Sequence, residues 1–288
     1  MTTATEKPVV TAHDSPRREG PLWALRHGQG LAGVLLVVVV ALAGVFAGLL
    51  SSYDPLTQIP GANLLGPSAQ HWLGTDHLNR DVAARVLAGI RIDLLIALLA
   101  VPIGAVVGAL IGLAATVHPV ADVTVQRVFD LILAFPTLIL GITLAAITGP
   151  GWHAVVIVIV AAEIPIFGRQ IRTAVLAVRE QPFVEASEVI GADTWWTLRK
   201  HVLPNVIEPL GVQFALSLSV AVFIEGAMSF IGIGVLPPQP SLGSLIAASI
   251  ANLDANPWIA IGPLVVVAAL TLGFLLIAQA LGRARRLA

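Results

Sequence analysis

The chain has 288 residues, of which 57% are hydrophobic and 11% are charged, and its formal net charge is −1. Soluble domains average about 25% charged residues, so this composition excludes an ordinary soluble domain and predicts an all-α polytopic membrane protein. The near-zero net charge gives no indication of nucleic-acid binding. Cysteine is absent, which excludes a disulfide framework and a thiolate metal site.

The first fifty residues divide into a polar tail and an apolar run. Residues 1–30 are polar, carry four basic residues and predict a disordered cytoplasmic tail. Residues 31–50 contain no charge, and about twenty such residues are needed to cross the hydrocarbon core. We interpret this run as a retained first transmembrane helix rather than a cleaved signal.

Residues 51–92 form a polar stretch rich in Pro and Gly, which we expect on the extracytoplasmic side with an amphipathic helix at its end. Asp76 lies four residues before Arg80, and Asp81 lies four residues before Arg85. Such pairs support a surface helix. Composition by itself favours a solvated interfacial helix with local ion pairs.

Five further apolar runs predict five more spans, separated by breaks rich in Gly and Pro. They cover about residues 94–117, 125–147, 153–172, 209–235 and 258–280. Together they predict a five-helix core over residues 93–282, followed by a basic cytoplasmic tail at 283–288. The apolar run 241–252 is too short to span and predicts an interfacial or re-entrant helix.

The distribution of basic residues predicts the orientation. With the N-terminus in the cytoplasm, thirteen of the sixteen Lys and Arg residues fall on the cytoplasmic side. Because cytoplasmic loops of membrane proteins are enriched in Lys and Arg, we expect both termini and residues 173–208 to be cytoplasmic.

The longest polar segment between apolar runs, residues 183–204, predicts a helical hairpin. A first short helix carrying Glu185 ends at Gly191, which permits a left-handed turn. A second short helix runs to Leu203, and Pro204 stops or kinks it. This charged and aromatic hairpin suits either docking into another protein or lying as an amphipathic loop on lipid headgroups.

Two acidic residues fall inside predicted spans, where a charge costs roughly 2.5–3.5 kcal/mol on insertion scales. Glu163 either lines a polar pathway or makes a structural bond to a neighbouring span, and we favour the structural bond. Glu225 lies nearer the other end of the fifth span. At the boundary of the third span, Asp130 is one turn from Arg127 and is expected to pair with it.

Other side chains give no indication of catalysis. The seven histidines are scattered, so no metal site is predicted. Neither lysine lies in a phosphate-binding loop, so we expect no ATPase in this chain and no cofactor bound by it. Ser217 and Ser219 are expected to bond carbonyl groups of their own helix.

Three segments resemble one family of membrane proteins. The residues EAS at 185–187, followed by Gly191 and by HVLP at 201–204, resemble the "EAA" loop of ABC-importer permeases, with Ser187 in place of an alanine. The string LGTDHLNRD at 73–81 resembles the "LGTDxxGRD" signature of C-type permease subunits of peptide and nickel importers, with Asn79 replacing a glycine. The string EGAMSFIGIGVLPP at 225–238 resembles a third segment of that family.

The resemblance covers about residues 70–282 and implies the C-type transmembrane subunit of a dipeptide, oligopeptide or nickel ABC importer. It implies six helices in the type I importer arrangement and transport by alternating access in a bacterial cell membrane. The implied partners are a B-type permease subunit, two ATP-binding subunits that hold ATP and Mg, and an extracytoplasmic substrate-binding protein.

The resemblance also implies roles for individual residues. The ATPase-coupling set is Glu185, Ala186, Ser187, Gly191, Trp195, Leu203 and Pro204. The set expected to shape the docking surface for the binding protein is Asp76, Arg80, Asp81 and Arg85.

Other functions remain open. The same architecture could import nickel or another small solute instead of peptides. A stand-alone secondary transporter would require inverted repeats or paired intramembrane charges, which the sequence does not show. An intramembrane diacid enzyme using Glu163 and Glu225 ranks last, because the two residues are expected at different depths.

Overall fold

The computed structural model describes residues 21–181 and 203–287, which are mainly helical. The helices are α1 (Pro21–Arg26), α2 (Gly28–Val45), α3 (Ala47–Leu50), α4 (Val82–Ala115), α5 (Pro119–Ala134), α6 (Thr137–Thr148), α7 (Trp152–Arg179), α8 (Leu203–Ile231), α9 (Leu242–Ser249) and α10 (Trp258–Leu287). A 3₁₀ turn, Ile250–Asn252, follows α9. In the described part of the chain, α2, α4, α7, α8 and α10 are long and apolar enough to cross a membrane, and α5 with α6, bent at their junction, form either a sixth, broken span or a re-entrant pair.

The N-terminal helices begin earlier than hydropathy predicts. α1 and the start of α2 lie within the predicted disordered tail, so that prediction is wrong for residues 21–30. Residues 1–20 are outside the described part. The first span is also interrupted, because α2 ends at Val45 and a short α3 follows Phe46.

The surface helix that the sequence predicts from Asp76 onward begins later in the structure. Residues 73–80 form turns, and helix α4 begins at Val82. Asp81 is its N-cap, and its carboxylate accepts a hydrogen bond of 2.7 Å from the amide of Ala84. α4 continues for 34 residues to Ala115, so the second span starts well before the predicted residue 94.

The third span is bent and not a single straight helix from 125 to 147. α5 and α6 meet at 91° across Phe135 and Pro136. Phe135 has extended backbone angles, φ −84° and ψ 130°, as expected for a residue that precedes proline. The apolar run therefore continues through the bend although the helix does not.

The core lies where α4, α7 and α8 meet, with α10 packed on α8. α4 and α7 approach so closely that a Cβ atom added to Gly108 would lie 2.3 Å from the carbonyl oxygen of Ile164. α9 does not span; it packs against α4, α8 and α10. α2 packs mainly on α10, at the edge of this bundle.

The remaining helices match the predicted spans. α7 reaches Arg179 and α10 reaches Leu287, beyond the predicted ends. The candidate span of α8, Pro209–Ile231, begins where the sequence predicts and ends short of the predicted residue 235. Residues 236–240 are not helical, as the run of prolines predicts, and the short apolar run beyond them forms α9.

Candidate functional site

The predicted coupling hairpin falls mostly outside the described residues. This applies to Glu185, Ala186, Ser187, Gly191 and Trp195. Leu203 and Pro204 are helical and lie at the edge of the described part of α8, and the short helix that Pro204 was expected to stop lies outside the described residues.

A buried hydrogen bond joins the two helices on either side of this segment. The hydroxyl of Ser217 on α8 donates to Glu163 Oε2 on α7 at 2.6 Å. From this bond α7 runs about 24 Å to its end at Arg179.

The segment before α4 is folded around Asp76. Its Oδ1 accepts hydrogen bonds from the backbone amides of Leu78 and Arg80, both at 2.9 Å, and its Oδ2 accepts from Arg80 Nε at 2.8 Å. Asn79 has φ +61°, which confirms that it occupies the left-handed position expected of the glycine it replaces. The LGTDHLNRD string thus forms a tight, charge-stabilised turn.

The second predicted pair, Asp81 with Arg85, does not form. Besides capping α4, Asp81 accepts a bond of 2.8 Å from His71 Nδ1, while Arg85 donates to the carbonyl oxygen of Pro55 at 2.9 Å. Arg85 Nε also lies 3.7 Å from Asp76 Oδ2. These charges connect distant parts of the segment to each other.

Asp76, Arg80, Asp81 and Arg85 are all buried, each less than 10% exposed. The prediction of a solvated interfacial helix is therefore wrong. The reason is that each side chain finds its partners inside the segment, including a carbonyl group thirty positions away in sequence.

The two intramembrane acids predicted from the sequence lie in different places. Glu163 is 1% exposed and accepts from Ser217, which in turn accepts from Gln213 at 3.2 Å. Glu225 lies eight residues beyond Ser217 on α8, about 12 Å along the helix. The structure keeps Glu163 and Glu225 apart. This agrees with the expectation that they lie at different depths.

Glu225 has a partner that sequence reasoning missed, Asp93 on α4. The two acids are neighbours, and neither side chain is exposed. Glu225 Oε1 accepts from Ser229 at 2.6 Å, and Asp93 Oδ2 accepts from the amide of Leu242 at 3.2 Å. The sequence contains one sign of this partner: Asp93 is a charged residue directly before the long apolar run of the predicted span.

Arginine–aspartate pairs join the broken span to α7. Asp130 on α5 pairs with Arg127 at 3.6 Å, which confirms the predicted pair, and also with Arg169 on α7. Asp122 accepts two bonds from Arg172, at 2.5 and 2.6 Å. These pairs lie on α5, on the far side of the bend from α6.

Ser217 and Ser219 on α8 donate to other helices and not to carbonyl groups of their own. Ser217 donates to Glu163, and Ser219 donates to the carbonyl oxygen of Thr271 on α10 at 2.9 Å. The expectation of bonds within α8 is therefore corrected for both. Among the described residues, no three His, Cys, Asp or Glu side chains are placed to hold a metal ion.

The sequence matches a family of transport proteins over most of its length. The family described as "binding-protein-dependent transport system inner membrane component" matches residues 80–287, which span α4 to α10. The chain belongs to this family.

Curated relatives cover nearly the whole chain. The dipeptide transport system permease protein DppC of Alkalihalophilus pseudofirmus is 32% identical over 93% of this chain and 88% of the relative. The di/tripeptide transport system permease protein DppC of Pseudomonas aeruginosa is 36% identical over 86% and 84%. The glutathione transport system permease protein GsiD of Pectobacterium atrosepticum is 31% identical over 89% and 85%.

The fold is also found in a solved transporter. A chain of the MetNI methionine ABC transporter, in an inward-facing conformation, aligns with a TM-score of 0.56 and 21% identity. The alignment covers 70% of this chain and 96% of that one. The architecture is therefore the type I ABC importer transmembrane fold, and the chain is the transmembrane subunit of a binding-protein-dependent importer.

Proposed function

We propose that this chain forms half of the translocation pathway of an ATP-driven peptide importer in a bacterial cell membrane. The observation that supports peptides as substrates is the set of relatives, which are named for dipeptide, di/tripeptide and glutathione transport and align over most of this chain. The alternative is the same architecture importing nickel or another small solute.

The chain would act without catalysing a reaction itself. It has no phosphate-binding loop, so we assign ATP and Mg to two partner ATP-binding subunits, and the second half of the pathway to a B-type permease subunit. ATP-driven closure of the ATPase pair would move the segment between α7 and α8. Because those helices are bonded through Glu163 and Ser217, both would transmit the movement into the core.

We assign the coupling role to residues 183–204, on their resemblance to the EAA loop. Gly191→Val introduces a β-branched side chain where we expect a left-handed turn, at a cost of roughly 1–2 kcal/mol, and it also obstructs close approach. Gly191→Asn tolerates the same turn. Pull-down of the ATP-binding subunit by wild type, Gly191→Val and Gly191→Asn tests this role, with weakened recovery expected only for valine. Equal recovery by all three would remove the role.

We assign the turn at 73–81 to the extracytoplasmic docking surface. Because Asp76, Arg80, Asp81 and Arg85 are buried, they would act by holding the shape of this segment and not by touching the binding protein. Contact with the binding protein would then be made by exposed residues of the same segment, such as Trp72, which is 60% exposed. Trp72→Ala is expected to reduce stimulation of ATP hydrolysis by the binding protein without changing the basal rate.

The substrate is tested through the binding protein. We expect mass spectrometry of ligand released from the purified cognate binding protein to identify short peptides. The same peptides should drive ATP-dependent uptake into proteoliposomes that contain the full complex. A binding protein that carries nickel and no peptide would overturn the substrate while leaving the importer fold intact.

A further inference from the structure

Two carboxyl groups meet in the apolar core without a basic partner. Asp93 on α4 and Glu225 on α8 are both 0% exposed, and the two acids are neighbours. Within the described ranges, no Arg, Lys or His nitrogen lies within 4 Å of either carboxyl group. A bound proton is the simplest group that allows two acids to remain in contact there.

The hydrogen bonds show where a donor is missing. One oxygen of each acid is satisfied, Glu225 Oε1 by the Ser229 hydroxyl and Asp93 Oδ2 by the Leu242 amide. The other oxygens, Asp93 Oδ1 and Glu225 Oε2, are buried and receive no hydrogen from a donor in the described chain. If both acids were ionised, both oxygens would lack a donor and the two charges would repel each other.

If the pair binds one proton, one negative charge remains, and that charge lies beside the start of a helix. Ser241 caps the eight-residue helix α9 through a reciprocal pair of bonds with Ser244, and it lies beside Glu225. The amide that reaches Asp93 belongs to Leu242, the first residue of that helix. Helix N-termini stabilise negative charge through their free amides and dipole.

The backbones around the pair are packed too closely for side chains. A Cβ atom on Gly243 would lie 2.1 Å from the carbonyl oxygen of Gly226, and one on Gly89 would lie 3.2 Å from the amide nitrogen of Leu242. The start of α9 is therefore held between α4 and α8. The acid pair is the polar contact at this junction.

We propose that Asp93 and Glu225 bind one proton between them, and that this proton-sharing pair fixes the start of α9 to spans α4 and α8. The shared proton supplies the missing donor and leaves a single charge that the amide of Leu242 stabilises. A metal cation is the competing occupant. It fits less well, because no third His, Cys, Asp or Glu of the described chain is placed beside the pair to complete a metal site.

Infrared spectroscopy of the full transporter complex tests the proton directly. A protonated carboxylic acid has a carbonyl stretching band that an ionised carboxylate lacks, and this band shifts in D₂O. We expect the band to disappear in Asp93→Asn and in Glu225→Gln. Glu163→Gln, which alters a buried acid elsewhere, on α7, should leave it unchanged. Difference spectra of Asp93→Asn and Glu225→Gln that contain only carboxylate bands would overturn the proposal.

Thermal unfolding of the same complex distinguishes a proton from a metal ion. An amide carries its own N–H donor, so Asp93→Asn and Glu225→Gln should each unfold within about 4 °C of wild type. Asp93→Leu, which leaves Glu225 Oε2 and the Leu242 amide without a partner, should unfold at a lower temperature than Asp93→Asn. A wild-type unfolding temperature that rises in NaCl relative to KCl, and loses that rise in Asp93→Asn, would assign the site to sodium and reject the shared proton.

Discussion

Three glycines on α4 face the backbone of α7 at successive turns. Cβ atoms at Gly104, Gly108 and Gly112 would lie 2.5, 2.3 and 2.2 Å from atoms of Glu163, Ile164 and Gly168. In a membrane, where lipid tails are as apolar as side chains, such close backbone contact is a main source of attraction between helices. The α4–α7 contact therefore depends on the absence of side chains at these positions.

Gly108→Ala tests this contact. The added methyl group would have to displace the backbone of α7, and overpacking of this kind costs typically about 1–3 kcal/mol. Gly211 on α8 has open space around it, so Gly211→Ala gains helix stability of roughly 0.5–1 kcal/mol. Thermal unfolding of the purified complex should show a decrease for the first change and no decrease for the second. Equal shifts would mean that α7 moves aside freely.

Because Asp81 is buried, we expect its substitution to lower the stability of the protein. Asp81→Ala removes the cap of α4, typically worth about 1 kcal/mol, and also the acceptor of His71. Asp81→Asn keeps a capping oxygen and should lose less stability. Unfolding temperatures of the two variants measure the difference, and an asparagine variant as unstable as the alanine variant would show that the cap contributes little.

At the scale of elements, ion pairs join α5 to α7 on one side of the bend between α5 and α6. Arg172 makes two parallel bonds to Asp122, whereas Arg127 lies 3.6 Å from Asp130 with its side chain 80% exposed. An ion pair with two parallel hydrogen bonds and partial burial is more stable than a single contact between exposed side chains.

A double-mutant cycle with Asp122→Asn and Arg172→Gln should give a coupling free energy of about 0.5–1 kcal/mol, since both groups remain partly solvated. The same cycle on Asp130 and Arg127 should give a value near zero. The free energy of unfolding in denaturant provides both numbers. A larger coupling for the exposed pair would contradict this account of how α5 is attached.

The sequence predicts the spans well because a helix in lipid requires a long apolar run, and hydropathy detects it. It does not predict the bend at Pro136, because the apolar run continues through the break. The burial of Arg85 is also missed, since its acceptor on Pro55 is distant in sequence. Asp93 is missed because its partners on α8 and α9 become neighbours only after folding. The roles of residues 183–202 remain predictions.

For the whole molecule, orientation in the membrane is the main prediction. The chain contains no Cys, so single cysteines can be introduced without background. We expect Gln58→Cys, at an exposed position, to react with a membrane-impermeant maleimide on intact cells, and Thr197→Cys to react only after permeabilisation. Labelling of residue 197 from outside would invert the topology.

Among the described long helices, α2 comes first in chain order and packs mainly against α10, which comes last. Gly33 lies so close to α10 that a Cβ atom would be 2.7 Å from the carbonyl oxygen of Gly273. At roughly 5–20 residues per second, the ribosome needs on the order of ten to forty seconds to proceed from the end of α2 to the start of α10. During that interval lipid or another membrane protein must cover the face of α2. A chain that stops before α10 would keep that face exposed and become a substrate for membrane proteases.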